Sequence, residues 1–102
     1  MHDWVLKSIA IDWEAGVTSF AFLPVSAEDE PPVEILIEGL VQLSVPRQFD
    51  WGPSVSVLDA YLTERSSGLT FSIQMQSGDL VQAQGSAIRL PPNVDLPKTP
   101  TP

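Results

Sequence analysis

No cysteine occurs in the 102 residues, and histidine appears once, as His2. Without thiols the chain holds no disulfide framework, thiol nucleophile, iron–sulfur cluster or cysteine-ligated zinc. Cations are scarce: five Lys and Arg stand against 13 Asp and Glu, a formal net charge of −8. Such a set offers no electrostatic footprint for nucleic acid or an anionic membrane. Long apolar runs are also missing. No window approaches the roughly 18 consecutive apolar residues of a membrane helix. Asp12 and Glu14 interrupt the first apolar stretch before an export signal could form. A cytoplasmic location is therefore expected. No repeat of roughly 20–50 residues appears, which excludes solenoids and propellers.

What is present suits one small domain, with 43% hydrophobic residues and ten prolines. The prolines cluster. Pro24 to Pro32 reads P-V-S-A-E-D-E-P-P, where consecutive acids and a Pro pair resist packing as a regular element. After Leu90 the chain reads P-P-N-V-D-L-P-K-T-P-T-P, and proline removes backbone donors and favours extended polyproline II. The expected organisation is an all-β domain over 1–90 and a Pro-rich flexible tail over 91–102.

Elsewhere the period is two, the repeat of a half-buried strand. Leu69, Phe71, Ile73 and Met75 alternate with polar neighbours, Val33, Ile35 and Ile37 with Glu34, Leu36 and Glu38, and Val41, Leu43 and Val45 with Gln42, Ser44 and Pro46. Ile9, Ile11 and Trp13 share one face of a first strand. Residues 54–64 are mixed: Val55 and Val57 alternate with Ser, while Leu58, Tyr61, Leu62 and Arg65 fall at helical spacings. The early β-branched residues favour a strand there. These patterns predict a single antiparallel domain of about six strands, a curved meander forming a sandwich or partly closed barrel.

Register follows from face matching, because a one-residue slip flips every side chain. Around Ala15-Gly16 the best match sets Ile11 opposite Phe20 and Ile9 opposite Phe22, with Gly16 at a positive φ. Around Ser77-Gly78-Asp79 a three-residue connection sets Met75 against Val81 and Ile73 against Ala83. The small strip Ala83, Gly85, Ala87 leaves room for a bulky side chain from another layer, with Trp13 and Phe22 as candidates, or else Gly85 marks a bulge.

Chemistry finds few carriers. His2 lies at the chain end, so no Ser–His site is expected. Glu34 and Glu38 share a face opposite the apolar one, a solvated arrangement rather than an acid–base pair. Glu28-Asp29-Glu30 lacks the alternating spacing and Gly turn of a calcium loop. No phosphate cradle is present. The reading is therefore no catalytic residue, no metal and no cofactor. Aromatic and Arg residues beside a loop stand out instead: Arg47-Gln48-Phe49-Asp50-Trp51-Gly52-Pro53 holds residue types enriched at binding hot spots. Phe49 and Trp51 either close one end of the core or form a contact.

Three stretches carry a resemblance. They are His2-Asp3-Trp4 with Asp12-Trp13, Pro46-Arg47 with Trp51-Gly52-Pro53-Ser54, and Met75-Gln76-Ser77-Gly78-Asp79. Over roughly residues 2–90 the pattern resembles small uncharacterised bacterial β proteins. It also loosely resembles immunity proteins of polymorphic toxin systems, which bind and block a cognate toxin. The acidic loop and tail lie outside it, and it implies no catalytic residue.

The expectation is a non-catalytic protein-binding domain of bacterial origin, of the kind that inhibits a basic toxin. Candidate partner-binding residues are Arg47, Trp51, Glu28, Asp29 and Glu30. The expected partner is a protein, cationic by charge complementarity, with no nucleic acid and no membrane. The alternatives are a structural or homo-oligomeric β protein, or a small-molecule or carbohydrate binder using Trp4, Trp13 or Trp51.

Overall fold

The computed structural model describes residues 2–24, 32–47, 55–92 and 94–98. Among them are eight strands: β1 (Val5–Asp12), β2 (Val17–Leu23), β3 (Val33–Glu38), β4 (Gln42–Ser44), β5 (Val57–Arg65), β6 (Gly68–Met75), β7 (Leu80–Gly85) and β8 (Ala87–Arg89). They form two antiparallel four-stranded sheets, ordered β1-β2-β3-β8 and β4-β7-β6-β5. The all-β expectation holds, as a sandwich rather than a closed barrel. Eight strands replace the expected six, and the order is not a simple meander. Residues 54–64 contribute most of β5, a strand.

The alternation places the core. Thr18, Phe20, Phe22, Ile35 and Ile37 from one sheet are buried against Val57, Leu62, Phe71, Ile73 and Met75 from the other. Phe20 meets Phe71 edge to face, with ring centroids 5.3 Å apart, a favourable geometry for aromatic quadrupoles.

The meander fails because two strand pairs change sheets together. β3 pairs with β8, and β4 with β7. From Glu38 to Gln42 is four residues, whereas Gln84 to Ala87, their partners, is three. One antiparallel ribbon thus bends across the sandwich edge with a one-residue register shift. The Ser86 N–H donates to Glu38 O and the Val41 N–H to Gln84 O, at 2.9 and 2.8 Å. Val41 sits at the bend and is 80% exposed, so it does not share the inward row with Leu43. Space for the bend comes from Gly85, whose missing Cβ would lie 2.6 Å from both Glu38 O and Ile37 Cγ2. Ile37 fills the room left by the small strip, in place of Trp13 or Phe22.

Both hairpin registers are displaced by two residues while keeping the expected parity. In β1–β2, Ile9 pairs with Phe20 and Ile11 with Thr18. The loop has four residues because Asp12 closes it: its Oδ1 accepts from Ala15 N–H (3.0 Å) and its carbonyl from Gly16 N–H (2.9 Å). Gly16 takes the expected positive φ, 67°. In β6–β7, Phe71 pairs with Ala83 and Ile73 with Val81. The three-residue connection is 76–78, with Met75 N–H donating to Asp79 O at 2.8 Å. Ser77 stabilises it by donating its hydroxyl to Asp79 Oδ2 at 2.9 Å, and both residues are buried.

Two β-bulges shape the edges. Lys7 is the extra residue of β1 and Leu58 that of β5. Each bulge switches which parity faces inward. Trp4 and Leu6 pack on the core before the first, Ile9 after it; Val57 is buried before the second, Ala60 and Leu62 after it. After Leu90, Val94 and Leu96 pack against the core, and Pro97 O accepts from Leu62 N–H at 2.9 Å.

Candidate functional site

The open edges of a sandwich are its natural contact sites, since each leaves backbone donors and acceptors unpaired. Two of the four edges here are short: β4 and β8 have three residues each. The third, β5, is nine residues long and covered. Its outward N–H groups at Val57, Ala60 and Leu62 donate to Trp4 O (2.7 Å), to the Asp59 carboxylate (2.9 Å) and to Pro97 O (2.9 Å). An ion pair between Lys98 and Glu64 at 2.6 Å holds the same tail segment to the strand.

The fourth edge, β1, is different. Near its start Leu6 N–H donates to Val55 O at 2.8 Å, and Val5 bridges to Ser56. Beyond the Lys7 bulge, Ser8-Ile9-Ala10-Ile11 carries no charge and has no strand on its outer side among the described residues. Ile11 lies in the inward row yet is 52% exposed, at an edge with no further strand among the described residues. Trp13, in the following turn, is 88% exposed. Trp4 instead packs on Phe22, with centroids 6.2 Å apart, so it is no free platform.

Beside this edge runs a groove of about 330 Å³. It is lined by Leu6 and Ile9 of β1, by Val55 beside Leu6 and by Val45 and Pro46, with the buried Met75 and Val81 as the floor. Lys7 and Arg47 also line it. Arg47 is exposed, and neither cation has an ion-pair partner among the described residues. The bulge explains Lys7: an unpaired extra residue re-aims its side chain.

Of the expected partner-binding residues, Arg47 alone is described; Trp51, Glu28, Asp29 and Glu30 lie outside the described residues. His2 sits 3.4 Å from Asp3 and its Nδ1 is 3.0 Å from Leu58 O. No group of three His, Asp or Glu suited to a metal ion occurs among the described residues. The β1 edge and Lys7 escaped the sequence reading. Their signal was the polar doublet Lys7-Ser8 between two apolar phases, the mark of a bulge.

No family model matches the chain, and no curated protein or solved structure matches it either. It is a small all-β protein for which no family is identified.

Proposed function

We propose that the protein is a non-catalytic binding domain that takes a strand of a protein partner along β1. The observation that carries this reading is the uncharged run Ser8–Ile11, paired with β2 on one side and with no strand on its outer side among the described residues, ending on exposed Ile11 and Trp13, in a fold whose other long edge is covered. Strand addition supplies affinity through main-chain hydrogen bonds and specificity through alternate side chains. The net charge of −8 favours a cationic partner, as for an immunity-type inhibitor of a basic toxin. Affinity capture from a bacterial lysate tests it with wild type and Ile11→Lys in parallel. A basic protein retained by wild type and lost with the variant supports the proposal. Equal capture by both overturns the edge assignment.

A second reading uses the same edge for a second copy. Antiparallel self-pairing about Ala10 sets Ile9 opposite Ile11 of the other molecule, twice, and keeps both core faces on one side. Such an isologous contact would bury both exposed Ile11 side chains. Sedimentation decides: a concentration-dependent dimer abolished by Ile11→Lys selects self-pairing, and a monomer throughout rejects it.

A further inference from the structure

We infer that the groove between β1 and residues 45–47 binds a small amphipathic carboxylate, an aliphatic chain ending in one anionic head. This inference is independent of the strand-addition reading, since it concerns the space between the sheets rather than the edge.

The argument begins with the distribution of cations. The chain has five Lys and Arg in all. Arg89 is paired with Glu38 and Lys98 with Glu64. Arg65, at the far end of β5 opposite Gly68, has no ion pair among the described residues, but it stands apart from the groove. The remaining two, Lys7 and Arg47, line one groove. In a protein of net charge −8, two cations with no ion-pair partner among the described residues make a local positive site in a negative field. That arrangement admits a single anionic group and disfavours a polyanion.

The walls define the rest of the ligand. Leu6, Ile9, Val45 and Val55 are aliphatic, and the floor is made by Met75 and Val81, which belong to the core and are 1% and 2% exposed. A flexible thioether on the floor adapts to an unbranched chain. The volume, about 330 Å³, lies at the low end of small-ligand sites, roughly 300–1,000 Å³. An aliphatic chain against the floor, with its carboxylate accepting from Lys7 and Arg47 at the rim, satisfies both halves. Arg47, singled out by sequence as a contact residue, thereby acquires a defined role as an anion ligand.

Sodium decanoate, titrated below its micellar range at low ionic strength, is the probe, with decanol and decyltrimethylammonium as controls. Methyl NMR shifts report both location and affinity. Decanoate should bind with a dissociation constant on the order of 0.1 mM, shifting Leu6, Ile9 and Val45. Binding should weaken roughly tenfold in the Lys7→Gln/Arg47→Gln variant, and also in Val45→Trp, which fills the groove from its rim. The overturning results are equal binding of decanol and decanoate, an unchanged affinity in the double variant, shifts mapped elsewhere, or no binding by the folded protein.

Discussion

Gly39 and Ser86 face each other where the bent ribbon crosses between sheets: a Cβ on Gly39 would lie 2.1 Å from Ser86 Oγ and 3.0 Å from its Cβ. Gly39 also has φ 63°, a conformation that disfavours any side chain. Two separable costs therefore attach to Gly39→Ala, a steric one set by Ser86 and a backbone one that is not. In the wild-type background the substitution should destabilise by about 2–3 kcal/mol. With Ser86→Gly already present, about 1 kcal/mol of backbone strain should remain. Urea unfolding of the four proteins measures the coupling. Equal costs in both backgrounds would show that Ser86 swings aside freely.

Thr18 offers the opposite test. Its side chain is fully buried opposite Ile37, and its Oγ1 has no hydrogen-bond partner among the described residues. A buried hydroxyl without a partner costs stability. Thr18→Val, which replaces the hydroxyl with a methyl, should raise stability by about 1 kcal/mol. A lower melting temperature would refute this account of the site.

The β6–β7 connection depends on a polar pair inside the protein. Ser77 donates to Asp79 Oδ2 and accepts from Asp79 N–H at 3.3 Å, with both residues buried. Ser77→Ala removes both bonds in the turn that aligns Ile73 with Val81. A loss of about 1–3 kcal/mol is expected, read from chemical denaturation. Hydrogen exchange should quicken first at Met75, whose N–H closes the turn onto Asp79 O.

Deleting residues 94–102 should uncover part of β5. The deletion removes Val94 and Leu96 from the core surface, the Leu62–Pro97 hydrogen bond and the Lys98–Glu64 pair. The stretch of β5 from Leu62 on would then be open, while Val57 stays covered by Trp4. The truncated chain should melt earlier and self-associate with rising concentration by light scattering. A truncated protein as monomeric as the full chain would show that the tail does not protect the edge.

The β5 ambiguity shows how a bulge hides from periodicity. Leu58, Tyr61 and Leu62 stand at helical spacings, yet Leu58 is 41% exposed and the buried set is Val57, Ala60 and Leu62. The extra residue breaks the two-residue phase, and a broken phase imitates a helix over one turn. The same break, at Lys7, placed a cation at the groove while the pattern pointed only to Arg47. The acidic run Glu28-Asp29-Glu30 and Trp51 lie outside the described residues.

Lacking cysteine and rich in two-residue alternation, this sequence by itself determined an all-β fold, the inward faces of β2, β3, β6 and β7, and the parity of both hairpins. Those properties are local: each strand carries its own apolar row, and burial of that row is worth more than any single turn. Tertiary structure decided the absolute registers, because Asp12 and the Ser77–Asp79 pair close their loops two residues away from the best apolar match. It also decided the strand order, since the joint bend at Gly39 and Gly85 pairs residues about 50 positions apart, a contact that no local pattern encodes. The contrast between a covered β5 and an open β1 arises in the same way. It depends on where Trp4, Pro97 and Lys98 come to rest against β5, and that is a matter of packing in three dimensions.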